Sequence, residues 1–200
     1  MKLVLASNNK GKLAELQALF APLGVELVRQ ADLGIPEAPE PHRTFIENAL
    51  AKARHASAVS GLPALADDSG LCVAALNGAP GVYTADWAER QPYEGPAGRD
   101  WYMAMGKVEG KLAELGPDID RSAYFNSTLA LAWPDGHVEI FEGRAEGRLT
   151  WPPRGTMGFG YDPIFILDGK TQTFAEIPFE EKHKISHRTH AFAKLVAAVF

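Results

Sequence analysis

The tripeptide Pro134-Asp135-Gly136 constrains this chain's fold more than any other feature. Before it, Phe125, Leu129, Leu131 and Trp133 alternate onto one face of a strand, and after it the sequence runs straight into a second strand, so the segment reads as a β-hairpin. A hairpin is antiparallel, which excludes a purely parallel sheet. Helical patterns lie on either side of it. From Lys12, the residues Leu13, Leu16, Leu19 and Phe20 recur at helical spacing up to Gly24, following a strand at residues 2 to 6. A second helix starts at Thr44 and stops near Gly61. In a third, Trp101, Met105, Val108, Leu112 and Leu115 alternate steps of four and three, the stripe of a helix lying on a core. The stretch "PALADDSGLCVAALNG" reads as a strand, an acidic turn and a further apolar run. "IFIL" forms a short strand, and a striped helix through Phe192, Leu195, Val196 and Val199 ends the chain. Strands and helices therefore mix without strict alternation, as in an α/β protein built on a mixed sheet.

Charge and composition narrow the partners. With 200 residues there is enough chain for one sizeable domain or two small lobes sharing a core, and a net charge of −5 supplies no uniform basic field for a nucleic-acid backbone or an anionic membrane. Cys72, the only cysteine, cannot form an intramolecular disulfide, which suits a reducing compartment. Residues 3 to 6 are too short an apolar run for a signal-peptide core, and no run reaches membrane-spanning length. The expectation is a soluble cytoplasmic protein with no nucleic-acid or membrane partner.

Any anion site must then be a local concentration of charge. Ser7, Asn8, Asn9, Lys10, Gly11 and Lys12 lie between a strand and a helix N-terminus, where unpaired N–H groups and the helix dipole favour phosphate. A plain capped loop is the competing reading, since the Walker pattern is absent. Asp67-Asp68 follows a strand, so its carboxylates either hold a hard cation such as Mg²⁺ or form an acidic turn. Glu47 either reaches Asp68 or returns a hydrogen bond to Thr44 in a capping box. "EEKHKISHRTH" gathers Lys182, His187 and Arg188 among other basic residues, as a polyanion or carbonyl reader or as a solvated basic helix start. "GFGYDP", containing Phe159, Gly160, Tyr161 and Asp162, sets aromatic rings beside glycines, as a platform for a flat base or as an ordinary loop. Together a phosphate loop, an acidic metal candidate, an aromatic loop and a basic cluster are the parts of nucleotide triphosphate chemistry.

The order S-x-N-x-x-K (Ser7, Asn9, Lys12), T-F-I-E-N-A (44 to 49), A-D-D-S-G-L (66 to 71), G-A-P-G-V-Y (78 to 83), G-F-G-Y-D-P (158 to 163) and E-K-H-K-I-S-H-R (181 to 188) resembles the inosine and xanthosine triphosphate pyrophosphatase family from end to end. The resemblance implies a two-lobed α/β fold, with a long mixed sheet flanked by helices and an active-site cleft between the lobes, in a single domain over residues 1–200. It also implies a homodimer and Mg²⁺-dependent cleavage of deaminated purine nucleoside triphosphates such as ITP, dITP and XTP to the monophosphate and pyrophosphate. By motif position Ser7, Asn9, Lys12 and Lys52 would hold the triphosphate. Glu47 and Asp68 would carry the metal, with Asp68 also the base. Ser69 would touch substrate, while Phe159 through Asp162, Lys182, His187 and Arg188 would enclose and read the purine. One departure stands out: after G-V-Y many members carry Arg or Lys where this chain has Asp86. The alternatives are a related house-cleaning pyrophosphatase for pyrimidine or modified nucleotides, and a nucleotide-binding module without turnover.

Overall fold

The computed structural model describes residues 1–200. Its elements are β1 (Lys2–Leu5), α1 (Lys10–Phe20), β2 (Glu26–Arg29), α2 (Phe45–Ser60), β3 (Ala64–Val73), α3 (Trp101–Glu114), β4 (Ser122–Ala132), β5 (Val138–Leu149), β6 (Phe165–Leu167), α4 (Phe179–Ile185) and α5 (His187–Val199). The six strands form one sheet in the order β2-β1-β3-β4-β5-β6. It is mixed: β1 runs parallel to β2 and to β3, whereas β5 and β6 are antiparallel. The chain folds into two compact units, one of residues 1–68, 127–143 and 186–200 and the other of residues 69–126 and 144–185. No helix is long and apolar enough to cross a membrane.

In the first unit the two-residue period of β1 sorts its side chains onto two cores. Leu3 and Leu5 pack with Leu13, Leu16 and Phe20 of α1 and with Ala191, Phe192 and Leu195 of α5. Phe20 meets Phe192 edge to face at 4.8 Å. Val4 and Ala6 turn the other way, onto Ala49, Ala53 and Ala56 of α2, a contact built almost wholly from alanine. Gly143 of β5 lies so close to α5 that a Cβ there would strike the backbone of His187 and Ala191. In the second unit Met105, Val108 and Leu112 of α3 join Leu71, Val73, Phe125, Leu149, Phe165 and Phe174 in one cluster.

Local chemistry accounts for the helix ends. Thr44 caps α2 by accepting the Glu47 N–H at 3.2 Å, and Gly61 ends it at φ +68. Asp100 caps α3 and Ser186 caps α5 in the same way. The helix over residues 45–60, the stripe of α3 and the hairpin at residues 133–137 all stand where the sequence put them, and the mixed α/β class holds. Three features differ. Asp67-Asp68 lies inside the continuous strand β3 rather than in an acidic turn: Arg188 and Lys12 pair with Asp67 and Lys52 with Asp68 from opposite faces, so the ladder need not break. β2 carried no strand signal: its residues are exposed or half-buried, with no apolar alternation to read. The basic C-terminal cluster is split by Ser186 between α4 and α5, and Lys182, His187 and Arg188 are buried, not a solvated helix start.

Candidate active site

Strand period decides what the paired acids of β3 do. Leu65 belongs to the core under α1 and α5, whereas Ala64 and Ala66 belong to the core under α2. Continuing that alternation, Asp67 faces α1 and α5 while Asp68 faces α2. The side-chain contacts agree. Asp67 accepts from Arg188 of α5, Nε to Oδ2 at 2.9 Å and Nη2 to Oδ1 at 3.4 Å, and from the Ser127 hydroxyl at 2.7 Å. Lys12 of α1 stands 3.1 Å from Asp67 Oδ1. Arg188 also donates from Nη1 to Glu15 of α1. Asp68 instead meets Lys52 of α2, whose Nζ lies 3.5 Å from Asp68 Oδ1, 2.8 Å from the Asp67 carbonyl oxygen and 2.5 Å from Glu40 Oε1.

The two carboxylates consequently have opposite electrostatics. Burial alone would raise Asp67, but the charges of Arg188 and Lys12 and the hydrogen bonds from Arg188 and Ser127 hold it well below the usual carboxylate range. At Asp68 burial wins over Lys52 and Lys12 and pushes the carboxyl up to about 6, with Glu40 and Asp67 adding to the rise. Burial lowers Lys12 despite the nearby acids, while Lys52 is raised because Asp68 and Glu40 outweigh the burial that opposes them. Asp68 Oδ2 is buried with no hydrogen-bond partner, a costly state for a carboxylate oxygen unless a cation joins it.

The opening loop shows how it is built. Asn9 Oδ1 accepts the Lys12 N–H at 3.0 Å, Ser7 Oγ accepts the Asn9 N–H at 3.1 Å, and Asn8 Oδ1 accepts from Gln30 at 3.3 Å. Asn9 therefore does cap α1, and the cap is what aims the first helical turn, from Lys10 and Gly11 to Lys12, past the end of β1. Glu47 is exposed on the first turn of α2, and its carboxylate makes no hydrogen bond or ion pair. The acid that joins Asp68 at Lys52 is Glu40, from the proline-rich loop before α2, which sequence reasoning missed. Glu15 was missed too. Its burial at 5% in the apolar stripe of α1 is the one signal a sequence lacks. The structure gathers Ser7–Lys12, Lys52, Asp67, Asp68 and Arg188 in the first unit, with His187 buried at the start of α5.

A second group sits wholly in the other unit. Lys182 of α4 is buried, with Nζ 2.7 Å from Asp162 Oδ2 and over the rings of Phe159 and Phe174 at 4.7 and 5.7 Å. Asp162 Oδ2 also accepts the Phe159 N–H at 3.0 Å, closing the glycine turn. Gly158, at φ +72, admits no side chain, since a Cβ would overlap the Asp162 carboxylate. Tyr161 lies edge-on to Trp101 at 5.5 Å and donates its hydroxyl to the Thr84 carbonyl at 2.9 Å. Ser69, directly after Asp68, is half-buried, and Asp86 is exposed on a short turn.

Half-buried lysines opposed to strand carboxylates beside a capped helix start, on a mixed sheet, make this an α/β protein with a candidate anion site. The chain belongs to the Ham1 family, whose model matches residues 3–198. It is 52% identical over 197 residues to the dITP/XTP pyrophosphatase of Zymomonas mobilis, covering 98% of this chain and 91% of that one. To the dITP/XTP pyrophosphatase of Caulobacter vibrioides it is 53% identical over 199 residues, covering 100% and 98%. Among solved structures, a HAM1 protein from Coxiella burnetii superposes with a TM-score of 0.88 at 41% identity, over 100% of this chain and 98% of that one. The Ham1 protein of Staphylococcus aureus gives a TM-score of 0.84 at 32% identity, over 100% and 98%.

Proposed function

We propose that this chain is a nucleoside triphosphate pyrophosphatase that hydrolyses ITP, dITP and XTP to the monophosphate and pyrophosphate with Mg²⁺, clearing them from the nucleotide pool. The observation that carries this reading is the pairing of the half-buried Lys12 and Lys52 with the buried Asp67 and Asp68 inside β3. Ser7, Asn8, Asn9, Lys10, Gly11, Lys12, Lys52 and Ser69 hold the triphosphate. The residues fit a divalent ion: Asp68 has an orphaned buried oxygen, Glu40 shares Lys52 with it, and no cluster of three or more acids, histidines or cysteines forms a protein-only cage. Two carboxylates suit an ion that keeps water and shares itself with substrate phosphates. Asp68 and Glu40 would hold it, and it would supply charge neutralisation on the phosphate oxygens.

The chain's own groups divide the work through their separated acidities. Asp67 is fully committed to Arg188, Lys12 and Ser127 and stays ionised, so it orients the lysines. Asp68, near 6, is ionised at neutral pH yet basic enough to take the proton of the water attacking the α-phosphorus. Lys52 and Lys12 then oppose the charge that grows on the phosphates. The family resemblance assigns the base to Phe159, Gly160, Tyr161, Asp162 and Lys182, and by the same resemblance His187 would donate to its 6-keto oxygen. Adenine presents an amino donor there, and a buried unpaired donor costs about 1–3 kcal/mol, roughly 5- to 150-fold. Arg188, with three of its nitrogens directed at Asp67 and Glu15, is better placed to fix Asp67 than to read a base. The family resemblance supports a cytoplasmic homodimer as the working form.

Pyrophosphate release from ITP, dITP, XTP, GTP and ATP, measured with MgCl₂ and with EDTA, tests the reading. ITP and XTP should exceed ATP in kcat/KM, and EDTA should abolish turnover. Equal kcat/KM for ITP and ATP would overturn the assignment of substrate, and undiminished release in EDTA the assignment of metal.

A further inference from the structure

The carboxylate that the site recruits from outside its motifs, Glu40, stands on an exposed loop, and exposed loops do not by themselves hold a side chain still. Between Pro36 and Arg43 the loop makes three hydrogen bonds or ion pairs with the rest of the protein. One is Glu40 to Lys52. The other two come from a single side chain: Asn48 Oδ1 accepts the His42 N–H at 3.1 Å, and Asn48 Nδ2 donates to the His42 carbonyl at 3.2 Å. Asn48 thus treats His42 as a strand would, satisfying its donor and its acceptor together, and it does so from a position only 2% exposed.

Two further features transmit this grip to Glu40. Pro39 and Pro41 flank it, which fixes two φ angles and biases Ala38 and Glu40 to extended conformations, so the short path from Glu40 to His42 is stiff. Asn48 and Lys52 are four residues apart on α2, hence on the same face one turn apart. The first residue fixes the loop backbone and the second receives the loop's carboxylate. Helix and loop form a clamp with two jaws of fixed spacing.

We propose that Asn48 is a positioning residue of the active site: by gripping His42 through both backbone groups it sets the Glu40 carboxylate at Lys52 and beside Asp68, completing the pair of acids for the divalent ion. The proposal rests on the assignment of Glu40 and Asp68 to that ion in the proposed function. Partners one step removed from a metal ligand typically cost 10–100-fold in metal affinity when lost, and Asn48 stands at that remove.

The test is a titration of substrate-free protein with Mn²⁺, the free ion followed by electron paramagnetic resonance, for the wild type, Asn48→Ala, Glu40→Gln, the double variant and Ser57→Ala. Ser57 is equally buried on α2 but its hydroxyl has no hydrogen-bond partner, so it reports the cost of perturbing the helix alone. Glu40→Gln and Asn48→Ala should each weaken Mn²⁺ about 10-fold or more. The double variant should be no weaker than Glu40→Gln, because the two act through one carboxylate, and Ser57→Ala should bind normally. Amide exchange of residues 36–43 in metal-free Asn48→Ala should quicken while that of β3 does not. Should Asn48→Ala fail to fold, Asn48→Thr, which keeps bulk but cannot span both backbone groups, carries the same outcomes. Normal Mn²⁺ affinity in Asn48→Ala with Glu40→Gln impaired, or additive losses in the double variant, overturns the role of Asn48 alone. Normal affinity in Glu40→Gln overturns the placement of Glu40 in the site itself, and the clamp with it.

Discussion

Replacing Asp68 by Asn should make the metal-free protein more stable while destroying its turnover. The folded protein holds Asp68 near 6 against an ordinary value of 3.8. Because the folded state keeps the proton that the unfolded chain has already released, stability falls as pH rises between those two values. At 1.36 kcal/mol per pH unit, the displacement amounts to about 3 kcal/mol, lost in full above about pH 7 and recovered below about pH 4. Asn imitates the protonated acid and carries no such loss. In urea with EDTA the variant should therefore exceed the wild type by about 3 kcal/mol at pH 8, and the gap should close toward pH 4. Added Mg²⁺ should stabilise the wild type by mass action and the variant far less. Turnover should drop by about 10²–10⁴-fold or more, as for loss of a general base. A variant no more stable than the wild type at pH 8, or a gap independent of pH, would refute the claim that Asp68 is a carboxylate strained by burial and waiting for a cation.

Other substitutions probe the remaining contacts. Lys182→Met leaves Asp162 buried without its ammonium and should cost about 3–5 kcal/mol in urea unfolding at neutral pH. Gly143→Ala drives a methyl group into the α5 backbone and should lower stability by about 1–3 kcal/mol or more, read as a shift in urea midpoint. Arg188→Lys keeps the charge but cannot bridge Asp67 and Glu15 with a planar fork. It should lose about 1–3 kcal/mol of stability and lower kcat while leaving the ITP-to-ATP preference near that of the wild type.

Much of this architecture was legible because it depends on neighbours along the chain. Caps at Thr44 and Asn9, the glycine stop at Gly61, the 101–115 stripe and the Pro-Asp-Gly turn are local signals, and local physics honoured them. What escaped depends on neighbours in space. β2 is a strand because β1 offers it a parallel edge, register Leu3 with Leu27 and Val4 with Val28, and not because its own side chains alternate. Asp67 and Asp68 looked like a turn since two adjacent acids repel, and only the distant Lys12, Lys52 and Arg188 make the strand tolerable. The same limit explains Glu40. In sequence it is one acid among prolines, whereas Glu47 sits in a helix-start motif. The two-residue rhythm of Ala64, Leu65, Ala66, Asp67 and Asp68 did contain the opposite facing of the two acids, and reading it as a strand to its end would have separated their roles.

Asp67 and Glu15 find their shared guanidinium 121 and 173 residues further along the chain, on the last helix. Ribosomal synthesis delivers that helix after every element it packs against. A nascent chain ending before Ser186 would carry two acids bound for the interior with no arginine to meet them, and a sheet face still lacking Phe192 and Leu195. The interior around β1, α1 and β3 can therefore close only once residues 186–200 have joined it.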